Sequence, residues 1–232
     1  MSLVITKKAV SENDSSDTSF KNESLFGYEL RTALEEKEST AIVSALSKST
    51  VAICGLGGLG SNIAMMLSRA GVGRLILIDF DTVNITNLHR QFYKTSQIGR
   101  KKAWALSENL KEIAPLTRLE LHDTKITSDV VKDLLSDADV ICEAFDKSDQ
   151  KAMLVNTVLE ALPEKDLVAG SGMAGAGDVN EIITRQISKH FYLCGDAHTD
   201  VDEAGCLLPT RVMVCAAHQA HKIIQLLTKK NG

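Results

Sequence analysis

Three glycines stand at phosphate-binding spacing in the stretch VAICGLGGLGSN, residues 51–62. Gly55, Gly57 and Gly60 form a G-x-G-x-x-G motif between an apolar run and a helical pattern, and Gly58 adds room beside them. The first glycine permits a tight turn, the second lets a phosphate approach the backbone, and the third lets helix pack close to strand. Free N–H groups of the first helical turn then face the anion. The motif therefore predicts a nucleotide site rather than a plain strand-to-helix turn.

A carboxylate and several polar residues follow the next apolar run. Asp79 ends the run RLILID, where an acidic residue of a dinucleotide-binding fold accepts hydrogen bonds from ribose. The glycine turn and Asp79 alone favour NAD. The segment beyond places more polar residues next to the predicted crevice, namely Asp81, Asn87, Arg90, Gln91 and Lys102. Arg90 and Lys102 suit the extra charge of a triphosphate. A solvated helix face is the competing interpretation for Lys101 and Lys102.

Asp146 directly follows another apolar run, ADVICEAF. Ligands of α/β proteins bind at the carboxyl ends of the strands, and a carboxylate oxygen there suits Mg²⁺ bridging phosphates. The competing role for Asp146 is the N-cap of a helix that starts near Ser148. His89 is a lone histidine in a polar run, so we expect it to be structural.

The scaffold for these residues follows from alternating strand-like and helical patterns. They predict an α/β fold, a Rossmann-like, doubly wound, mostly parallel sheet, with a C-terminal β-hairpin in EIITRQI and FYLCG and a closing helix over Thr210–Lys229. The predicted strands are Thr50–Cys54, Arg74–Asp79, Arg118–His122, Asp139–Ala144 and Leu167–Ala169. The predicted helices between them are Ser61–Ala70, Lys101–Ile113, Ser128–Leu135 and Gln150–Leu162.

Three segments make up the chain in this interpretation. Residues 1–24 are polar and are expected to be disordered, and residues 25–48 have the spacing of one or two helices that pack on the domain or on a partner subunit. Residues 49–232 form the nucleotide-binding domain. Inside it, the stretch DAHTDVDEAGCLLP has no periodicity, which predicts a loop long enough to have a function.

Composition excludes several classes of protein. The net charge of −4 disfavours nucleic acid as a partner, and no apolar run approaches the roughly 20 residues of a membrane span. We expect a cytoplasmic protein with reduced thiols. Cys194, Cys206 and Cys215 lie near histidines in sequence, but the five cysteines form no C-x-x-C pair, so no structural zinc is expected.

The order of the motifs resembles the ThiF/MoeB/ubiquitin-activating adenylyltransferases. The elements GLGGLGSN, DFD, NLHRQ, IGRKKA and EAFD occur in sequence, and the similarity extends from Val51 to Gln225. AGSGMAGAGDVN and LPTRVMVCAAHQAH are similar to the short bacterial branch that adenylates the sulfur carrier ThiS in thiamine biosynthesis. This resemblance implies ATP and Mg²⁺ as cofactors, a small ubiquitin-like carrier ending in Gly-Gly as the partner, and a homodimer.

The resemblance also implies residue roles. Asp79 would bind the ribose, Asn87 and Arg90 the phosphates with support from Gln91, while Lys102 is the catalytic lysine and Asp146 the magnesium ligand. Two features depart from the family pattern: the zinc-binding cysteine pairs are missing, and no cysteine matches the thiol that some relatives use. Arg31 is the candidate for an arginine that relatives extend across a dimer interface. An NAD-dependent oxidoreductase and an inactive nucleotide-binding scaffold are the alternative functions.

Overall fold

A seven-stranded sheet forms the centre of the protein, whose computed structural model describes residues 29–230. The predicted disordered tail lies outside the described residues, as does the start of the predicted N-terminal helical segment. The strand order is β3-β2-β1-β4-β5-β7-β6, and every neighbouring pair is parallel except β6 with β7. The strands are β1 Thr50–Cys54, β2 Arg74–Ile78, β3 Arg118–His122, β4 Val140–Glu143, β5 Asp166–Gly170, β6 Ile183–Gln186 and β7 Phe191–Gly195. The α/β class, the mostly parallel sheet and the terminal hairpin are thus confirmed.

Helices cover both faces of this sheet. They are α1 over residues 29–37, α2 Thr40–Ser47, α3 Gly58–Arg69, α4 Lys102–Ile113, α5 Val131–Leu135, α6 Ser148–Ala161, α7 Val201–Ala204 and α8 Pro209–Lys230. One apolar core contains buried side chains of α2, α3, α4 and α8, and the other contains those of α5 and α6. The sheet is therefore doubly wound, and its strands are shielded from water on both sides.

The central strand shows how sequence determines this layering. Val51 and Ile53 point into the first core, whereas Ala52 and Cys54 point into the second, as the two-residue period of a strand requires. All four side chains are fully buried. Burial of a valine or isoleucine side chain contributes about 1.5–3 kcal/mol, so the apolar run stabilises the centre of the sheet and holds the following glycine turn in place.

Several predicted boundaries are wrong for identifiable reasons. The predicted helix Ser61–Ala70 begins earlier, at Gly58, because Gly57 is its N-cap and the glycine motif forms its first turn. The predicted helix Ser128–Leu135 is shortened to α5, because residues 128–130 form a turn. The loop predicted over DAHTDVDEAGCLLP contains the short helix α7, which Asp200 caps by accepting a hydrogen bond from the backbone N–H of Asp202. The boundaries of the five strands predicted before the hairpin differ from the observed ones by a single residue at most, whereas β6 begins two residues later than the run EIITRQI.

No helix within residues 29–230 combines the length and the apolar character that crossing a bilayer requires.

Candidate nucleotide-binding site

A cavity of about 730 Å³ opens at the carboxyl ends of the parallel strands. It is lined by all of the predicted site residues except Gly60, namely Gly55, Gly57, Gly58, Asp79, Asp81, Asn87, Arg90, Gln91, Lys102 and Asp146. The sequence separates these residues widely, and the parallel sheet brings them together because its strands end at the same edge. The cavity also extends to residues that follow β5 and β7, including Ser171 and Thr199.

The glycine turn has the geometry that the motif predicts. Gly55 has a φ of +93°, and a Cβ atom there would lie 2.9 Å from the carbonyl oxygen of Ala144. Gly60 packs against the carbonyl of Gly55, where a side chain would collide, so it permits the close approach of α3 to β1 and does not face the cavity. The N–H of Leu56 donates to Oδ2 of Asp79 over 2.7 Å, which links the turn to the end of β2.

Lys102 is held between two carboxylates at the end of β2. Its Nζ lies 3.0 Å from Oδ2 of Asp81 and 3.8 Å from Oδ2 of Asp79, and Lys102 itself is buried. Burial raises the pKa of Asp79, and the nearby ammonium of Lys102 opposes that shift. The interpretation of Lys102 as a solvated helix-face residue is therefore wrong. Lys101, by contrast, is exposed, as that interpretation expects, and its Nζ donates to the carbonyl of Phe80 over 2.8 Å.

The segment after β2 forms a wall of the cavity through a short turn. Asn87 closes that turn by accepting from the backbone N–H of Asn84 over 2.9 Å. Arg90 Nη1 donates to the carbonyl of Thr86 over 3.1 Å. His89 lies against the carbonyl oxygens of Thr86 and Leu207, which agrees with a structural role.

Gln91 presents an unsatisfied polar atom beside the glycine turn. The residue is buried, and its Oε1 has no hydrogen-bond donor among the described residues. A buried acceptor without a partner is costly, so a ligand that supplies a donor at this point is favoured. Gln91 fits a polar ligand in the cavity better than an apolar one.

Asp146 projects from the segment between β4 and α6. It is exposed at the cavity, and no hydrogen bond or ion pair joins it to the residues that the structure describes. The N-cap of α6 is Lys147, and no side chain caps the helix. The helix-cap interpretation of Asp146 is therefore wrong. A free carboxylate at the sheet edge has the chemistry that Mg²⁺ prefers, so the residue fits a magnesium ligand.

A buried ion pair beside Asp146 was not anticipated from the sequence. Lys151 Nζ lies 3.0 Å from both carboxylate oxygens of Glu143 and donates to the carbonyl of Gly170 over 2.8 Å. Glu143 also accepts from the N–H of Phe145 over 2.7 Å. Burial raises the pKa of Glu143, and Lys151 opposes the shift. The pair fixes both ends of the segment that holds Asp146. Its only sequence signal is an acidic residue inside an apolar run.

The sequence pattern of the ThiF family matches residues 30–232. This chain belongs to the ThiF family. The adenylyltransferase and sulfurtransferase MOCS3 of Dictyostelium discoideum is 38% identical to this chain over 58% of this chain and 32% of the relative. The sulfur carrier protein adenylyltransferase of Thermus thermophilus is 35% identical over 44% of this chain and 38% of its own length. The chain thus spans well under half the length of either relative.

Solved structures share the ThiF-family fold. The E. coli tRNA N6-threonylcarbamoyladenosine dehydratase TcdA, in complex with ATP, superposes with a TM-score of 0.77 at 21% identity, covering 87% of this chain and 95% of that one. MccB of E. coli in complex with ATP gives a TM-score of 0.63 at 19% identity, covering 82% of this chain and 59% of MccB. At these identities the likeness establishes the architecture.

Four of the five cysteines of this ThiF-family chain are buried, and Cys206 is half-buried. Burial raises the pKa of Cys194 to about 11 and that of Cys215 to about 12, and it raises the pKa values of Cys54 and Cys142 as well. The buried thiols are therefore protonated near neutral pH, whereas zinc binds the thiolate.

We expect the purified protein to contain no stoichiometric zinc. Residues 29–230 contain one group of three potential ligands, Glu181, Asp196 and His198, and Arg211 already lies 2.8 Å from Asp196 and 3.6 Å from Glu181. That guanidinium occupies the place of a cation. Metal analysis by mass spectrometry checks the prediction, and one zinc per chain would contradict it.

Proposed function

We propose that this chain uses ATP and Mg²⁺ to adenylate the C-terminal Gly-Gly carboxylate of a small ubiquitin-like sulfur carrier, a ThiS-like protein of thiamine biosynthesis. The observation that carries the proposal is the convergence of the glycine turn, Arg90, Lys102 and Asp146 on one cavity. Membership of the ThiF family and the named activities of the two relatives support an adenylyltransferase.

The reaction needs charge neutralisation more than acid–base chemistry. The carrier's terminal carboxylate attacks the α-phosphorus of ATP, an acyl–phosphate bond forms, and the bond to the β-phosphate breaks to release pyrophosphate. A C-terminal carboxyl has a pKa of about 3.3–3.7, so the nucleophile is ionised at neutral pH and needs no general base. The remaining difficulty is to bring an anion to a polyanion, and fixed positive charges reduce it.

The proposed division of labour uses side chains that line the cavity. Arg90 and Lys102 bind and neutralise phosphate oxygens, Asn87 and Gln91 support them, and Asp79 receives the ribose. Asp146 would hold Mg²⁺, which when bound neutralises phosphate charge. Nζ of Lys102 lies 3.0 Å from Oδ2 of Asp81. To bind a phosphate, Lys102 therefore has to give up part of this contact.

The carrier's tail would enter along the side of the cavity formed by residues 195–208. Gly57 and Gly58 have no side chains, and Thr199, Asp200 and Val201 line the same cavity. A tail ending in two glycines is thin enough for such a passage. Its terminal carboxylate would then reach the phosphates beside Asp146.

A cytoplasmic homodimer is part of the proposal. Arg31 lies on α1, paired with Glu35, and Leu34 of the same helix packs beside Gly71. Gly71 precedes β2, so this helix lies at the end of the sheet opposite the cavity. Arg31 could therefore serve only the site of a partner subunit, which agrees with its assignment as an arginine shared across an interface.

Two other functions make different predictions about ligands. An NAD-dependent oxidoreductase would use the same glycine turn and Asp79, but the cations Arg90 and Lys102 exceed what a dinucleotide needs. An inactive scaffold would bind ATP without turnover.

Calorimetry followed by isotope exchange separates the three functions. We expect binding of ATP with Mg²⁺ but not of NAD, and ATP–pyrophosphate exchange that depends on a sulfur carrier ending in Gly-Gly. The same carrier without its last two glycines is the matched control. Binding of NAD in place of ATP would favour the oxidoreductase, whereas ATP binding without carrier-dependent exchange would favour the scaffold.

A further inference from the structure

Two loops at the cavity are joined through a buried ion pair that takes no part in the proposed reaction. Asp196, which follows β7, has no exposed side-chain surface, and Oδ2 of Asp196 accepts from Nη2 of Arg211 over 2.8 Å. Arg211 is also buried and lies in the first turn of α8. Removing two charges from water costs free energy, so stability alone is a weak explanation for a buried ion pair. The contacts of this pair point to a functional role.

The pair binds the loop after β5 from two sides at Ala174. Arg211 Nη1 donates to the carbonyl oxygen of Ala174 over 2.6 Å. The N–H of Ala174 donates to the hydroxyl of Thr199 over 3.1 Å, and that hydroxyl donates to Oδ2 of Asp196 over 2.7 Å. Next to it, the N–H of Gly175 donates to the carbonyl of Cys206 over 3.0 Å. We call Asp196, Thr199 and Arg211 the clamp.

The surroundings of Asp196 favour its ionised form. Burial raises the pKa of Asp196, but hydrogen bonds from Thr199 and His198 outweigh it, so the pKa is lowered overall. The backbone N–H groups of His198 and Thr199 each donate to Oδ1 over 2.9 Å. The carboxylate is therefore saturated by donors of the protein and is not available to a ligand.

The residues that the clamp fixes form one side of the cavity. Met173, Ala174 and Thr199 line it, and so does Val212, the neighbour of Arg211. A Cβ atom on Gly58 would lie 3.1 Å from Cγ1 of Val212, so the helix that carries Arg211 packs directly on the glycine turn. The clamp thereby fixes the distance between the glycine turn and the two loops.

The sheet order separates this side of the cavity from the nucleotide side. The strands β5 and β7 lie beyond β4, whereas Asp79 and Lys102 lie at the end of β2 on the other side of β1. The loops joined by the clamp thus lie on the other side of β1 from Asp79 and Lys102, although α8 approaches the glycine turn beside Arg90. They border the passage proposed for the carrier's tail.

We propose that Asp196, Thr199 and Arg211 are positioning residues that hold this passage open at the width of a glycine-ended peptide tail. The inference rests on the proposed function, because it assigns the passage to the carrier. The clamp contacts neither nucleotide nor reacting atoms. It acts by fixing the Ala174 backbone, so it contributes to carrier binding and little to ATP binding.

Two substitutions test the proposal, Arg211→Lys as the more disruptive one and Thr199→Val as the milder one. Arg211→Lys keeps the positive charge but loses the planar guanidinium whose two nitrogens donate to Asp196 and Ala174 at the same time. Thr199→Val removes only the hydroxyl that bridges Ala174 and Asp196. The matched control is Arg185→Lys, because Arg185 donates to the backbone carbonyls of Gly195 over 2.6 Å and Asp196 over 3.5 Å. In the part of the chain that the structure describes, it makes no hydrogen bond to Ala174. Each variant is compared with the wild type by thermal unfolding first, and Thr199→Val serves if Arg211→Lys does not fold.

Two measurements follow on the full chain. In the free protein, hydrogen exchange of the Ala174 and Gly175 amides should accelerate about tenfold in Arg211→Lys, about threefold in Thr199→Val and not in Arg185→Lys. In ATP–pyrophosphate exchange, the half-saturating carrier concentration should rise about tenfold in Arg211→Lys, while that of ATP stays within about twofold.

Unchanged amide exchange in the variants would show that the clamp does not order the Ala174 backbone. Accelerated amide exchange with an unchanged half-saturating carrier concentration would show that the clamp has no role at the passage. An equal rise in the half-saturating concentrations of ATP and carrier would also contradict the proposed role, because a general loosening of the cavity would then explain the result. If the wild type shows no carrier-dependent exchange, the proposed function fails and the assignment to a carrier fails with it. The amide measurement still reports separately whether the clamp orders Ala174.

Discussion

Asp146→Asn and Lys102→Ala should each lower carrier-dependent ATP–pyrophosphate exchange by roughly 10²-fold or more, the scale of losing one electrostatic catalytic element. Asp146→Asn keeps the shape of the side chain and removes the charge proposed to hold Mg²⁺. Lys102→Ala removes the ammonium that is buried beside Asp79 and Asp81. If its contact with phosphate tightens as pyrophosphate leaves, the rate falls while ATP binding weakens only modestly.

Magnesium distinguishes the two variants. Raised Mg²⁺ should restore part of the exchange in Asp146→Asn and none in Lys102→Ala. The matched control is Asp133→Asn, which alters an exposed aspartate of α5 outside the cavity lining and should leave the rate near that of the wild type. Normal exchange in both test variants would remove the proposed adenylation site, and loss in Asp133→Asn would point to a non-specific effect of charge.

Lys151→Met should destabilise the protein by about 3–5 kcal/mol, because it leaves the carboxylate of Glu143 buried without a counter-charge. The Glu143 side chain is 1% exposed and the Lys151 side chain 21%, so water cannot replace the lost ammonium effectively. Unfolding in urea at neutral pH measures the loss. Lys147→Met, at an exposed lysine of the same segment, is the control and should change stability by less than about 0.5 kcal/mol.

The pH dependence of that loss has a definite sign. Burial raises the pKa of Glu143 in the folded state, and without Lys151 the main opposing influence disappears. The folded state then takes up a proton more readily than the unfolded chain, so acidification towards the unfolded value of about 4.3 should recover stability, and stability should fall as pH rises through the folded pKa. The double variant Glu143→Gln with Lys151→Met should lose less than Lys151→Met alone at neutral pH. An equal loss at all pH values would contradict the buried-charge explanation.

The fold was predictable because its signals are local and repeated. Apolar strands alternating with helices imply a parallel sheet, and G-x-G-x-x-G after the first strand identifies which edge binds a ligand. Asp146 could be placed at that edge because it follows the end of β4 closely in sequence, whereas Lys102 begins α4, well after the end of β2, and was placed there by its motif. Their competing interpretations depended on burial and on capping, which a sequence pattern does not report.

Residues whose partners are distant in sequence could not be predicted. Glu143 and Lys151 looked like part of an apolar strand and of a solvated helix, and only the fold brings them together at Gly170. Asp196 begins a loop without periodicity and Arg211 lies in the predicted closing helix, so no local pattern pairs them. The short helix α7 was not predicted, because its four residues are too few to show a helical period.

The burial of four thiols leaves the protein with a natural attachment point for a spectroscopic label. The thiolate is the form that attacks alkylating reagents, and it is suppressed by the raised pKa values of Cys54, Cys142, Cys194 and Cys215. Burial also restricts access of a reagent to these four thiols. Cys206 is half-buried and immediately precedes Leu207, which lines the cavity. A maleimide fluorophore would therefore attach at this one position of the unaltered sequence and report on the rim of the cavity.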